Sequence, residues 1–368
     1  METNHFSRSM QRPSWADIHG SAYVVESAQA PSTILVTGGA GYIGSVLVRR
    51  LLAAGHRVRV LDRLLFGAAS MRSLAGHPRF ALLRGDCRRL PQVTLAVDGA
   101  DAVIHLAAIV GDAACGAEEQ LTWQTNCEGT EAIVRACRSA GVARMLFAST
   151  CSVYGATDGF VDEESRLNPL SLYATSKAVA EQVAIASATE RFHPTVLRLG
   201  TAFGWSFRPR FDLVVNLLAA QALRNREIEI CNRNHWRPFI HVCDIARAFC
   251  LALEFPLAQV SGRIFNAGSS RMNHPLSELQ EAILDASPQT QVSCGPSADP
   301  RDYRVCFERI KSVLDFECEV SLRQGVHEIQ QQLRLQPSLD YTAHRFHNHT
   351  FALRRQAKSS PAALAGVA

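Results

Sequence analysis

Lysine is nearly absent. Of 38 basic residues only Lys177, Lys311 and Lys358 are lysines, so a lysine at a chemically meaningful spacing carries weight. No apolar run reaches the ~18 residues that a membrane helix requires, which argues against a helical membrane span. CxxC spacing is missing among the eleven cysteines, so neither a zinc ribbon nor a thioredoxin-type centre is expected. Their number is odd, and Met1 to Ala30 lacks an apolar core and carries Glu2, Asp17 and Glu26. No secretory signal is expected there, and the thiols should pack as small hydrophobes in a reduced, cytoplasmic protein. Charge of one sign is also scarce. The formal net charge is +4, and Arg345, Arg354, Arg355 and Lys358 against Asp340 supply most of it. A nearly neutral body lacks the basic face of a dedicated nucleic-acid binder. What is present is ordinary globular composition, 47% hydrophobic and 20% charged over 368 residues, enough for one large or two modest domains.

Residues 1–31 show no periodicity and read as a flexible extension. From Thr33 strands and helices alternate. Candidate strands are Thr33–Thr37, Arg57–Asp62, Phe80–Arg84, Ala102–Leu106, Met145–Ser149 and Thr195–Leu199. Candidate helices are Ser45–Ala54, Thr125–Ala140 and Tyr173–Thr189. That alternation predicts an α/β fold with a Rossmann-type, doubly wound parallel sheet over 32–200. Residues 201–335 are less regular, with helices expected at Phe211–Leu223 and Asp244–Leu253 and a strand at Glu227–Cys231. A smaller α/β substrate lobe fits there, with some elements returning to the first domain. Residues 336–368 read as a polar tail. His344, His347 and His349 cluster in it without carboxylate or thiol partners, so no metal site is assigned.

Two constellations carry chemistry. Thr37-Gly-Gly-Ala-Gly-Tyr-Ile-Gly44 places Gly38, Gly41 and Gly44 between a strand and a helix. Glycines there permit a tight turn and close approach of a diphosphate to the helix N-terminus. Asp62 ends the next strand, where a carboxylate suits a ribose diol and repels a 2′-phosphate, which points to NAD. Arg63 beside it pulls the other way. Gly85-Asp86, after the third strand, either meets an adenine edge or simply turns the chain. The second constellation is Tyr173-Ala-Thr-Ser-Lys177, whose i,i+4 spacing puts phenol and ammonium on one helical face. The cation favours phenolate and moves the tyrosine toward general-base duty. Upstream, Ala148-Ser-Thr-Cys-Ser-Val-Tyr-Gly155 ends a strand with a hydroxyl cluster that includes Thr150.

With His105-Leu-Ala-Ala108, Asn126-Cys-Glu-Gly-Thr130 and Arg237-Pro-Phe-Ile-His-Val-Cys-Asp244 added, the chain resembles the extended short-chain dehydrogenase/reductases over roughly residues 33–335. More narrowly, it resembles the NAD-dependent epimerase/dehydratase family of nucleotide-sugar enzymes. The resemblance implies a catalytic triad of Thr150, Tyr173 and Lys177, with Lys177 also holding the nicotinamide ribose. It implies cofactor contacts from Gly38, Gly41, Tyr42, Ile43, Gly44, Asp62, Arg63, Asp86, Cys87, Leu106, Ala107, Ala108, Asn126, Tyr173 and Lys177. Asn126 reads equally as a helix cap. A nucleotide-diphosphate sugar is the implied substrate, with Cys151, Ser152, Thr201, Arg210, Arg237 and Arg304 as its candidate contacts. Arg208 and Arg301 are further diphosphate candidates. A homodimer through Thr125–Ala140 and Tyr173–Thr189 is implied as well.

Departures from the family narrow the reaction. Sugar 4,6-dehydratases of this family carry Asp-Glu straight after the catalytic threonine, and the decarboxylases want Glu at the second position. Cys151 and Ser152 stand there. The 4-epimerases have small and hydroxyl residues at those positions, so C4 epimerisation through a transient 4-keto sugar is the leading expectation. Thr201 replaces the usual epimerase asparagine, and Ala108 to Cys115 differs from the usual loop. A 4-keto-sugar reductase with an exchanging cofactor is therefore the alternative. A non-catalytic dinucleotide sensor is the third reading, disfavoured because Tyr173 and Lys177 are both kept.

Overall fold

The computed structural model describes residues 32–157, 159–295 and 301–350. The expected N-terminal extension and the chain beyond 350 lie outside those residues.

Seven parallel strands form the central sheet: β1 (Thr33–Thr37), β2 (Arg57–Asp62), β3 (Phe80–Arg84), β4 (Ala102–His105), β5 (Arg144–Thr150), β6 (His193–Leu199) and β7 (Ile264–Ala267). Their spatial order is β7-β6-β5-β4-β1-β2-β3. The inner strands β1 and β4 read as short apolar runs because both faces are covered. In β1, Ile34 and Val36 face one apolar layer and Leu35 the other. Helices α1 (Tyr42–Ala53), α2 (Leu90–Val97), α3 (Gly129–Ala140) and α4 (Leu172–Ala186) alternate with the strands. The layer behind Leu35 holds Val93 of α2, Ile133 of α3 and Ala180 of α4. The opposite layer holds Leu47 and Leu51 of α1.

The second half of the chain adds α5 (Val214–Asn225), α6 (Val242–Glu254), α7 (Leu276–Ala286) and α8 (Leu322–Leu335). Two later elements join the first part: α6 packs on α1, and β7 extends the sheet beside β6. A three-stranded sheet of Thr201–Phe203, Trp236–His241 and Asn273–Pro275 stands beside it. Helices α5, α7 and α8 pack together around that second part. The polar stretch after α8 folds back onto the body: Tyr341 and Phe346 are buried, and Phe346 packs edge-on against Phe211. No helix among the described residues is long and apolar enough to cross a membrane.

Candidate active site

Strand order reverses between β4 and β1, and a crevice opens at the carboxyl ends of the strands at such a point. A cavity of about 570 Å³ occupies it, lined by the loops after β1, β2, β4 and β5 and by α4. At its floor the chain leaves β1 through Gly38 in the left-handed region (φ +72°). A Cβ there would stand 2.8 Å from the Ala107 nitrogen, and one on Gly44 would stand 2.5 Å from the Gly38 oxygen. These two glycines bring the β1 and β4 loops and the start of α1 into contact. Gly41 is the N-cap of α1, and no side chain caps the helix. The first-turn N–H groups thus remain for an anion.

Asp62 lies at the cavity edge. Its Oδ2 accepts from the Ala40 N–H at 3.0 Å and its Oδ1 from the Leu64 N–H at 2.7 Å. Burial pushes its pKa up, while those N–H groups, Arg208 and Arg63 pull it down. Arg63 turns to Asp86, Nε to Oδ2 3.2 Å, and Arg88 closes on the same carboxylate at 2.6 Å. Asp86 is therefore consumed by two guanidinium groups and does not line the cavity, although Gly85 and Cys87 do.

Thr150 ends β5 and caps the turn Cys151–Tyr154 by accepting from the Ser152 N–H at 3.1 Å. Tyr173 and Thr150 both line the cavity, and the Thr150 side chain favours the ionised Tyr173 hydroxyl. Ser171 caps α4, accepting from the Ala174 N–H at 3.2 Å, which sets Tyr173 in the first turn and Lys177 one turn deeper. Burial raises the Tyr173 pKa, opposed by Arg210 and Thr150. Burial lowers the Lys177 ammonium to about 8, and its Nζ sits 3.9 Å from the centre of the Phe147 ring. Beneath them His105 lies within 2.6 Å of the Thr37 hydroxyl and 3.1 Å of the Thr130 hydroxyl. Burial and the nearby Lys177 depress it to about 3, so it stays neutral.

Thr150, Tyr173, Lys177, Gly38, Gly41, Tyr42, Ile43, Gly44, Asp62, Arg63, Cys87, Leu106, Ala107, Ala108, Ser152, Thr201, Arg210 and Arg237 all line the cavity. Besides Asp86, three expected contacts do not. Cys151 is fully buried, its thiol donating to the Arg198 carbonyl at 3.3 Å; burial raises its pKa, which removes the thiolate a reactive cysteine needs. Arg304 stacks instead on Phe160 and Trp236, 4.6 and 5.3 Å from their ring centres. Asn126 sits in a π turn, Gln124–Glu128, rather than at a helix cap. It receives the Ile109 N–H at 2.8 Å and donates to the Ile109 carbonyl and to Ser176. It shapes the loop after β4 from behind.

Arg210 is paired with Asp212 at 2.8 Å and Arg301 with Asp112 at 3.3 Å. Arg208 lies 3.8 Å above the Phe66 ring centre, its pKa lowered to about 9 by burial and Arg210. Asp212, Phe66, Asn348 and His349 line the cavity without having been read from the sequence. The alternation Arg208-Pro-Arg-Phe-Asp212 was the available signal for Asp212. The histidine cluster of the tail includes His349 without placing it here, and no spacing in the tail points Asn348 to the cavity. The uncapped α1 N-terminus, the open glycine loop and the Asp62 carboxylate fit a dinucleotide diphosphate and its adenosine ribose; Tyr173 and Lys177 fit its nicotinamide end.

A family model described as "NAD dependent epimerase/dehydratase family" matches residues 34–268. A dTDP-glucose 4,6-dehydratase of Streptomyces niveus is 29% identical over 318 residues, 80% of this chain and 90% of that protein. A UDP-glucose 4-epimerase of Corynebacterium glutamicum is 31% identical over 254 residues, 64% of this chain and 75% of its own length. Among solved structures, MoeE5 in complex with UDP-glucuronic acid and NAD superposes with a TM-score of 0.74 at 28% identity, covering 83% of this chain and 99% of that one. The chain belongs to the NAD-dependent epimerase/dehydratase family of extended short-chain dehydrogenase/reductases, an enzyme whose cofactor is NAD.

Proposed function

We propose that the protein interconverts the C4 epimers of a nucleoside diphosphate sugar. One observation carries this reading: Tyr173, with Thr150 and Lys177 beside it in the lining, faces a cavity whose carboxylates, among the described residues, are all engaged. Asp62 holds two backbone N–H groups, Asp112 holds Ser171 and Arg301, and Asp212 holds Arg210. The two positions after Thr150 supply a buried thiol and a hydroxyl. Eliminating water needs a second acid beside the sugar; moving one proton at C4 does not. Thr150 orients the C4 hydroxyl, Tyr173 removes its proton, and the Lys177 ammonium favours the phenolate. NAD supplies the reversible hydride acceptor at that carbon. Tyr173 returns the proton once the 4-keto sugar has turned its other face. Arg210 and Arg237 suit the diphosphate, and Ser152 and Thr201 suit sugar hydroxyls. The epimerase relative and the UDP-glucuronic acid bound by MoeE5 support the substrate class.

The test is product analysis by NMR after incubation with NAD and, separately, UDP-glucuronic acid, UDP-glucose and dTDP-glucose. A C4 epimer with no net NADH supports the reading. A dehydrated 4-keto product, released carbon dioxide or stoichiometric NADH contradicts it. A homodimer through α3 and α4 belongs to the same reading; sedimentation should give one dimeric species, and a monomer would refute that part.

A further inference from the structure

The chain after α8 crosses the molecule as a strap. Arg224 donates to the carbonyls of Leu333 and Gln336, at 2.8 and 3.2 Å, where α8 ends. Asn225 then donates to the Tyr341 hydroxyl at 2.9 Å. The Phe211 N–H bonds the Phe346 carbonyl at 3.0 Å, and Phe211 stacks edge-on with both Tyr341 and Phe346. The Thr350 hydroxyl closes the last turn on the carbonyls of His344 and His347, both at 2.8 Å. Between these anchors Asn348 bridges two cavity walls. Its N–H donates to Asp212 Oδ2 at 3.1 Å, and its Nδ2 donates to the Val110 carbonyl at 3.4 Å.

The Asn348 Oδ1 is left over. The residue is 7% exposed, yet this oxygen has no hydrogen-bond partner among the described residues. An unpaired buried acceptor forfeits its hydration with nothing in return, so a strap retained only for packing would do better with an apolar residue. Asn348 lines the cavity itself and also a small side chamber with Phe66, Ala108 and Val110, residues of the loops after β2 and β4. Asp212, the partner of its N–H, is the residue that holds Arg210.

We propose that Asn348 is a ligand-binding residue: its side-chain carbonyl accepts a hydrogen bond from a hydroxyl of the molecule bound in the cavity. Two sources present that chemistry, a ribose of the dinucleotide and the sugar nucleotide. The strap thereby makes a terminal segment part of the binding site. The sugar-nucleotide arm of this assignment rests on the function proposed above, and the dinucleotide arm does not.

The experiment is calorimetric titration of Asn348→Ala and wild type, first with NAD and then, on NAD-loaded protein, with UDP-glucuronic acid, alongside thermal unfolding. Losing one neutral hydrogen bond should weaken one of the two ligands by about 3–10-fold. A weaker NAD step alone assigns the donor to the dinucleotide, and a weaker second step alone assigns it to the sugar nucleotide. Tyr341→Phe removes a strap anchor and leaves Asn348 intact; it should lower the unfolding temperature with both affinities unchanged. Should the alanine variant not fold, Asn348→Ser reads the same loss. Unchanged NAD affinity, with UDP-glucuronic acid binding unchanged or absent, overturns the assignment. Wild type that fails to bind UDP-glucuronic acid while the variant loses NAD affinity counts against the proposed substrate and leaves the assignment standing.

Discussion

Lys177 carries an ammonium at a 3% exposed position against the Phe147 ring, and burial there lowers its pKa from 10.5 to about 8. The unfolded chain therefore holds this proton over a window, from about pH 8 to 10.5, in which the native protein has released it. Stability contributed by this group rises with pH through that window, and below it the cost is complete. At 1.36 kcal/mol per pK unit the cost is about 3 kcal/mol. Lys177→Met should unfold at a higher temperature than wild type at pH 7, and the advantage should vanish by pH 10.5; denaturation series at both pH values check this. The same variant should lose turnover, since the group that favours the Tyr173 phenolate is gone. Tyr173→Phe should retain sugar-nucleotide affinity while kcat falls by about 10²–10⁴-fold, the usual worth of a positioned general base. A steady-state assay at saturating substrate reads it directly.

Among the elements, the loop between β1 and α1 is under tight steric control. Adding one methyl at Gly44 puts carbon 2.5 Å from both the Gly38 oxygen and the Gly39 Cα. Overpacking of that kind costs about 1–3 kcal/mol. Gly44→Ala should lower the unfolding temperature and weaken NAD in titration, while Gly116→Ala, where no atom lies within 4 Å of the added carbon, should do neither. This loop was legible in the sequence because backbone sterics and glycine spacing are local. The strands β1, β2 and β3 match their apolar runs to the residue for the same reason. Helix starts shifted: α1 begins at Tyr42 rather than Ser45, its N-cap being a glycine with no capping side chain. The stretch Gln124–Glu128 forms a π turn rather than the start of α3. There Thr130 donates to the Asn126 carbonyl at 2.6 Å while the Asn126 side chain reaches Ile109, contacts that no periodicity reveals. Cys151, Arg304, Asn126 and Asp86 stand off the cavity lining because spacing cannot say which way a side chain leaves the backbone, nor that a neighbouring ring, amide or guanidinium will claim it.

On the scale of the whole molecule, the part that follows the parallel sheet is held together by buried polar links. His241 Nε2 and Glu328 Oε2 lie 2.7 Å apart between Trp236–His241 and α8. Glu328 also accepts from the Trp205 N–H at 3.1 Å. Burial works against the His241 imidazolium, and Glu328 raises its pKa well above the ordinary value. Glu328→Ala should cost about 3–5 kcal/mol, the price of leaving a buried partner without its counter-charge; chemical denaturation at neutral pH measures it. The strap was invisible in the sequence for a long-range reason: Tyr341 and Phe346, in an otherwise polar stretch, meet Phe211 far back in the chain. It adds Asn348 and His349 to a cavity built from the loops of the sheet, α4 and the part that follows. In the proposed C4 epimerisation bonds break and form at one sugar carbon, and a label on that carbon reports it. A UDP-sugar carrying deuterium at C4, turned over with catalytic NAD, should yield its C4 epimer with the deuterium still on C4. Deuterium lost from C4 to solvent or to released NADH, or found on a neighbouring carbon, would contradict the account.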